Sequence, residues 1–230
     1  MGISVMARSN TRTINLEKIQ MLGSGGGLVI KLMICCNDLS LANQSLAKWK
    51  DSNNLNADER SRRRGAGMYF VRIQLAHLFE GLKIIEQITQ EKELVDFIAS
   101  LDENTRKSFR ELEEYLPNAS QRPQVLKYIE KLRHKVVFHY DESSKLIDKA
   151  IANLATHPDT RYSSITRGDH AFSWYFRVGD EVVNNLVVKG LWSVEGDVQA
   201  EVDEIVIWTH SLFLTFMDFA GEFIWYYTLK

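Results

Sequence analysis

The chain has 230 residues, 45% of them apolar and 25% charged, with a formal net charge of −2 at pH 7. That length suffices for one substantial core, and the near-neutral charge excludes a protein that binds nucleic acid through its overall field; such binding needs a local basic patch. The two cysteines, Cys35 and Cys36, are neighbours; they cannot staple distant segments, which excludes a secreted disulfide framework and points to a reduced, cytoplasmic setting.

Residues 1–10 lack the apolar core of a signal peptide and read as a flexible tail. Residues 11–230 read as a single helical domain. Thr13 to Leu22 predicts a short helix, and the run Gly23-Ser24-Gly25-Gly26-Gly27 predicts a flexible joint after it. The run has the letters of a glycine-rich phosphate loop. It follows no strand, however, and no Lys-Ser/Thr comes after it. A second helix is expected from Leu28 to about Lys50, and turn chemistry at Asp51 to Asn54 ends it.

Asp58 to Gly67 reads as a polar, basic loop. Arg60, Arg62, Arg63 and Arg64 lie in it, with Arg62, Arg63 and Arg64 as candidate contacts for RNA phosphates. A solvated loop is the plain alternative. Met68, Val71, Leu75, Leu78, Leu82, Ile85 and Ile88 then recur at steps of three and four, predicting a long helix to Thr89. On it, His77 and Glu80 sit one turn apart and can face one site, or form a simple surface pair.

Glu91 to Leu101 continues as a shorter helix. Asp102 or Asn104 caps the next, which runs through Tyr115 and stops before Pro117. A further helix opens at Ser120 or Gln121, with Pro123 in its first turn and a buried face of Val125, Leu126, Ile129, Leu132 and Val136. Asp141 is the expected cap of a helix to about Thr156. Residues 159–195 read as an elaboration of the same domain, with alternating runs that suggest a β-hairpin within Tyr162 to Val178. Asp180 then caps a helix that Gly190 ends. Asp197 starts a long last helix toward Tyr227. Its stretch from Ile205 to Leu229 is apolar but interrupted by His210, Asp218 and Glu222, so it reads as a core or dimer helix and not as a membrane span.

The chemistry concentrates in Lys131-Leu132-Arg133-His134-Lys135-Val136-Val137-Phe138-His139-Tyr140-Asp141. A core helix has no need of so many cationic and titratable groups together. Histidine moves protons near neutrality. Arginine is a fixed cation whose planar fork of donors suits phosphate. A site that handles a phosphodiester follows. On a straight helix, six positions turn about 600°, so Arg133 and His139 point about 120° apart. They reach one phosphate only if the helix loosens near Val137-Phe138 or if two motifs meet across a dimer axis. The plain alternative is a helix end where His and Lys complement the dipole. The i, i+5 spacing of His134 and His139 does not suit a metal, and neither a metal nor another cofactor is expected.

Arg133, its polar follower His134, and His139 beyond it resemble the R-x(4–6)-H signature of HEPN domains, and Tyr140 after the histidine fits the resemblance. It implies an all-α, HEPN-like helical bundle that forms a homodimer. It also implies metal-independent cleavage of single-stranded or loop RNA, with Arg133, His139 and His134 as the catalytic set. Lys135 and Tyr140 would contact RNA, and Glu80, with His77, would supply the acidic support that such proteins bring from another helix. A toxin or phage-defence role with a cognate antitoxin or regulatory protein belongs to the same analogy. Other members of that family are inactive and only bind nucleotide, RNA or protein.

Overall fold

The computed structural model describes residues 11–50, 57–130, 145–156, 158, 160–167, 169, 175–191 and 198–229. Among these residues the architecture is all-α with one two-stranded sheet. In chain order the elements are α1 (Leu16–Met21), α2 (Gly23–Lys50), α3 (Ala57–Thr89), α4 (Lys92–Ala99), α5 (Glu103–Glu113) and α6 (Arg122–Val125), which passes directly into a π-helical segment (Leu126–Glu130). After α7 (Lys145–Thr156) come β1 (Ile165–Thr166), β2 (Tyr175–Phe176), α8 (Arg177–Asn185), a second π-helical segment (Leu186–Leu191) and α9 (Val198–Tyr227).

Three long helices carry the core. Helices α2 and α3 run antiparallel: Lys31 meets Gln87 near one end, Cys35 meets His77, and Asn43 meets Gln74 toward the other. Helix α9 lies antiparallel to α2, with Gly25 against Tyr227 at one end and Ala47 beside Ile207 at the other. Short α5 and the turn after it pack antiparallel on α9, through Phe109–Phe219 and Tyr115–Trp208. Phe216, Phe219, Phe223, Leu32, Leu39, Leu75, Leu78, Leu82, Ile85 and Ile88 are fully buried between them. Each such side chain removed from water contributes about 1.5–3 kcal/mol. The apolar spacing of α3 and of the Ile205–Phe223 face of α9 thus marks the core as expected.

The glycine run corrects one expectation. Only Gly23 breaks the chain: its φ of 58° is the left-handed turn that ends α1, and α2 begins at that same residue. Ser24, Gly25, Gly26 and Gly27 are all helical. Gly25 is needed for close packing, since a Cβ there would stand 2.5 Å from the Tyr227 hydroxyl. The run is therefore a helix start packed against a neighbour, not a joint.

A second correction concerns Asp58 to Gly67. Helix α3 begins at Ala57, so the arginine cluster lies on its first turns and not in a loop. Gly65 and Gly67 do not stop it: Gly65 faces the Asp180 carboxylate of α8, and Gly67 stands nearest Leu46 of α2. Asp180 itself sits inside the first turn of α8, whose N-cap is Phe176, and the helical chain passes Gly190 to Leu191. The remaining boundaries follow local chemistry. Asn15 caps α1 through Glu17 N, Asp102 caps α5 through Asn104 N and Thr105 N, and β1 pairs antiparallel with β2. The expected turn at Asp51 to Asn54 and the caps Asp141 and Asp197 lie outside the described residues.

Among the described residues, one helical stretch, Gly25–Ala47, is long and apolar enough to cross a membrane, and 44% of its most apolar window is buried inside the protein.

Candidate functional site

Helices α2 and α3 bring the expected supporting residues into one groove. His77 and Glu80, one turn apart on α3, both line a cavity of about 340 Å³, with Lys31, Cys35 and Asp38 of α2 on the opposite wall. His77 Nδ1 lies 3.7 Å from Asp38 Oδ2, and the Cys35 thiol donates to the His77 carbonyl at 3.4 Å. Glu80 Oε1 lies 3.4 Å from Lys83 Nζ. Lys31 Nζ donates to Gln87 Oε1 at 3.0 Å across the mouth. Burial, reinforced by Cys36, Asp38 and Glu80, pushes the Cys35 thiol up to about 12, so it is a packing group and not a nucleophile at neutral pH. The groove thus presents an acid–imidazole pair and an acid–ammonium pair, partly open to solvent. Among the described residues, no group of three or more His, Cys, Asp and Glu side chains could hold a metal ion.

Arg133, His134, Lys135, His139 and Tyr140 lie outside the described residues. The chain leading to them is described. Val125 and Ile129 are buried, Tyr128 packs on Trp208 of α9 with ring centroids 5.6 Å apart, and the Arg122 guanidinium stands 5.8 Å from the Phe79 ring. Phe79 lies between His77 and Glu80 in the sequence, and Lys83 Nζ is 4.8 Å from its ring centroid. The helix that opens toward the motif therefore starts against Phe79 of α3, the ring that Lys83 also approaches. It changes to π-helical geometry at Leu126–Glu130, three residues before Arg133, and such segments often occur at functional sites.

The arginine cluster splits. The Arg62 guanidinium lies 4.7 Å over the Tyr175 ring, and the Tyr175 hydroxyl donates to Asp180 Oδ2 at 3.1 Å. Arg62 thereby ties the hairpin and α8 to the start of α3, a fold contact that the sequence did not suggest. Arg63 is half-buried and Arg60 exposed on the same helix. The side chain of Arg64 lies outside what the structure describes.

Asp38 is the groove residue that sequence reasoning missed. It is the lone acidic residue in the apolar run from Leu28 to Leu46. An isolated carboxylate in such a run was the available signal, since a buried charge needs a partner. No protein-family model matches the chain, and neither a curated protein nor a solved structure does.

Proposed function

We propose that this chain is a metal-independent endoribonuclease that cleaves single-stranded or loop RNA in the cytoplasm, as a toxin or phage-defence component that works as a homodimer. The observation that carries this reading is the run from Lys131 to His139, which holds one arginine, two lysines and two histidines. The run follows a helix that starts against Phe79 of α3, one residue before Glu80 in the sequence. His139 would take the proton of the attacking 2′-hydroxyl or give one to the 5′-oxygen leaving group. Arg133 would stabilise charge developing on the phosphate, and His134 would orient the pair. Lys135, Tyr140 and Arg63 would hold the flanking nucleotides. Glu80 and His77 would support the arginine from α3.

The test is incubation of the purified protein with mixed RNA in EDTA. Expected are products with 2′,3′-cyclic phosphate and 5′-hydroxyl ends, and loss of cleavage in Arg133→Ala and His139→Ala. Intact RNA with the wild type, or undiminished cleavage by His139→Ala, overturns the mechanism.

A second reading, a non-catalytic module that binds nucleotide, RNA or a protein partner, draws support from the supporting side chains. His77, Glu80 and Arg62 each already have a partner within the chain. Retained RNA binding without turnover in the same assay favours that reading.

A further inference from the structure

Helix α9 buries one face completely and leaves a continuous stripe on the other. Ile207, His210, Leu214, Asp218 and Gly221 follow one another at steps of three and four along about 21 Å of helix, and all are exposed, Ile207 by 69% and Leu214 by 45%. Single exposed apolar side chains are ordinary. The order of this stripe is not, because it is complementary to itself about Leu214. Ile207 stands seven residues before Leu214 and Gly221 seven after it, a large side chain against none. His210 stands four before and Asp218 four after, a base against an acid. A Cβ on Gly221 would meet nothing within 4 Å, so space for a side chain lies above it. Two grooves flank the stripe at matching places, one of about 400 Å³ beside Ile207 and His210 and one of about 480 Å³ beside Asp218 and Gly221. Among the described residues, neither His210 nor Asp218 forms an ion pair within the chain.

We propose that this stripe is the docking surface for a second copy of the chain, with the two α9 helices antiparallel about a two-fold axis at Leu214. A two-fold contact places each residue opposite its mirror position in the register. Leu214 then meets Leu214, His210 of each copy meets Asp218 of the other, and Ile207 fills the space over Gly221. The proposal names the surface of the homodimer inferred above and is independent of the chemistry assigned to Arg133 and His139. Ile34 and Leu41, exposed on α2, are the rival apolar pair.

A cysteine on a two-fold axis bonds to its own copy. Mild oxidation of Leu214→Cys should trap a disulfide dimer, whereas Leu41→Cys and the wild type, with Cys35 and Cys36 in place, should remain single chains. Sedimentation of the wild type at micromolar concentration should show a dimer. His210→Asp should weaken it by about tenfold or more, and His210→Asp combined with Asp218→His should restore it, because the swap rebuilds both pairs. A monomer throughout, a dimer trapped equally through Leu41→Cys, or no rescue by the swap overturns the proposal. RNA cleavage measured on the same samples separates the two readings. A trapped Leu214→Cys dimer that cleaves no RNA supports the docking surface and counts only against the ribonuclease.

Discussion

His77 on α3 and Asp38 on α2 face each other with Nδ1 and Oδ2 3.7 Å apart, joining the two longest-paired helices across the groove that Glu80 also lines. Both side chains are partly exposed, 28% and 46%, so water screens the pair. Asp38→Asn should change the folding free energy by no more than about 1 kcal/mol. Urea unfolding of the two proteins checks this. A much larger loss would show that the pair is a structural clasp and not a replaceable part of a site.

Gly81 permits the close contact of α3 with α9. A Cβ there would lie 2.7 Å from the Phe216 ring and 3.2 Å from Cys35 Sγ. Gly81→Ala should destabilise by about 1–3 kcal/mol, because Phe216 is fully buried and cannot move aside freely. Gly27 is the opposite case, exposed and helical with nothing within 4 Å of its Cβ. Gly27→Ala should stabilise by up to about 1 kcal/mol through helix propensity. Thermal melts of the pair should move in opposite directions.

The two thiols make the fold sensitive to alkali. Burial raises Cys35 to about 12 and Cys36 to about 11 from an ordinary value of 9.0. The native state therefore holds protons that the unfolded chain releases. This contribution is complete below pH 9 and is lost as pH rises toward 11 and 12. The urea midpoint should fall between about pH 9 and pH 11, and by less in a Cys35→Ala/Cys36→Ala variant. Thiol reagents at neutral pH should label the native protein slowly and the unfolded one at once.

Arg12 fastens the start of the described chain to the end of α9. Its guanidinium donates to the Trp225 carbonyl and to Thr228 Oγ1, and lies 4.2 Å from the Trp225 ring centroid. The last carbonyls of a helix lack intrahelical donors, and this cation supplies one. Arg12→Ala should cost about 1–2 kcal/mol through the lost ring contact and charge-assisted hydrogen bonds. Hydrogen exchange should quicken at Trp225 to Leu229 while the Phe216 turn stays protected.

Much of the helical order was determined by the sequence alone, because its causes are local. The three- and four-residue recurrence of apolar groups marked α3 and the buried face of α9. Asp102 marked the start of α5 because its carboxylate reaches backbone donors two and three residues on. The alternation before Val178 marked the hairpin. The cluster around Arg133 and His139 was legible only as composition and spacing. Tertiary structure decided what depends on a distant neighbour. Glycines that local propensity treats as breakers stay helical at Gly25 and Gly65 because Tyr227 and the Asp180 side chain pack where a Cβ would stand. Arg62 reads as a free cation until Tyr175, over a hundred residues later, is brought beneath it. Asp38 and His77 pair only because α2 and α3 pack antiparallel. Periodicity and capping act within a few residues and can be read along the chain. Partners across a helix interface are fixed by packing, and packing exists only in the folded chain.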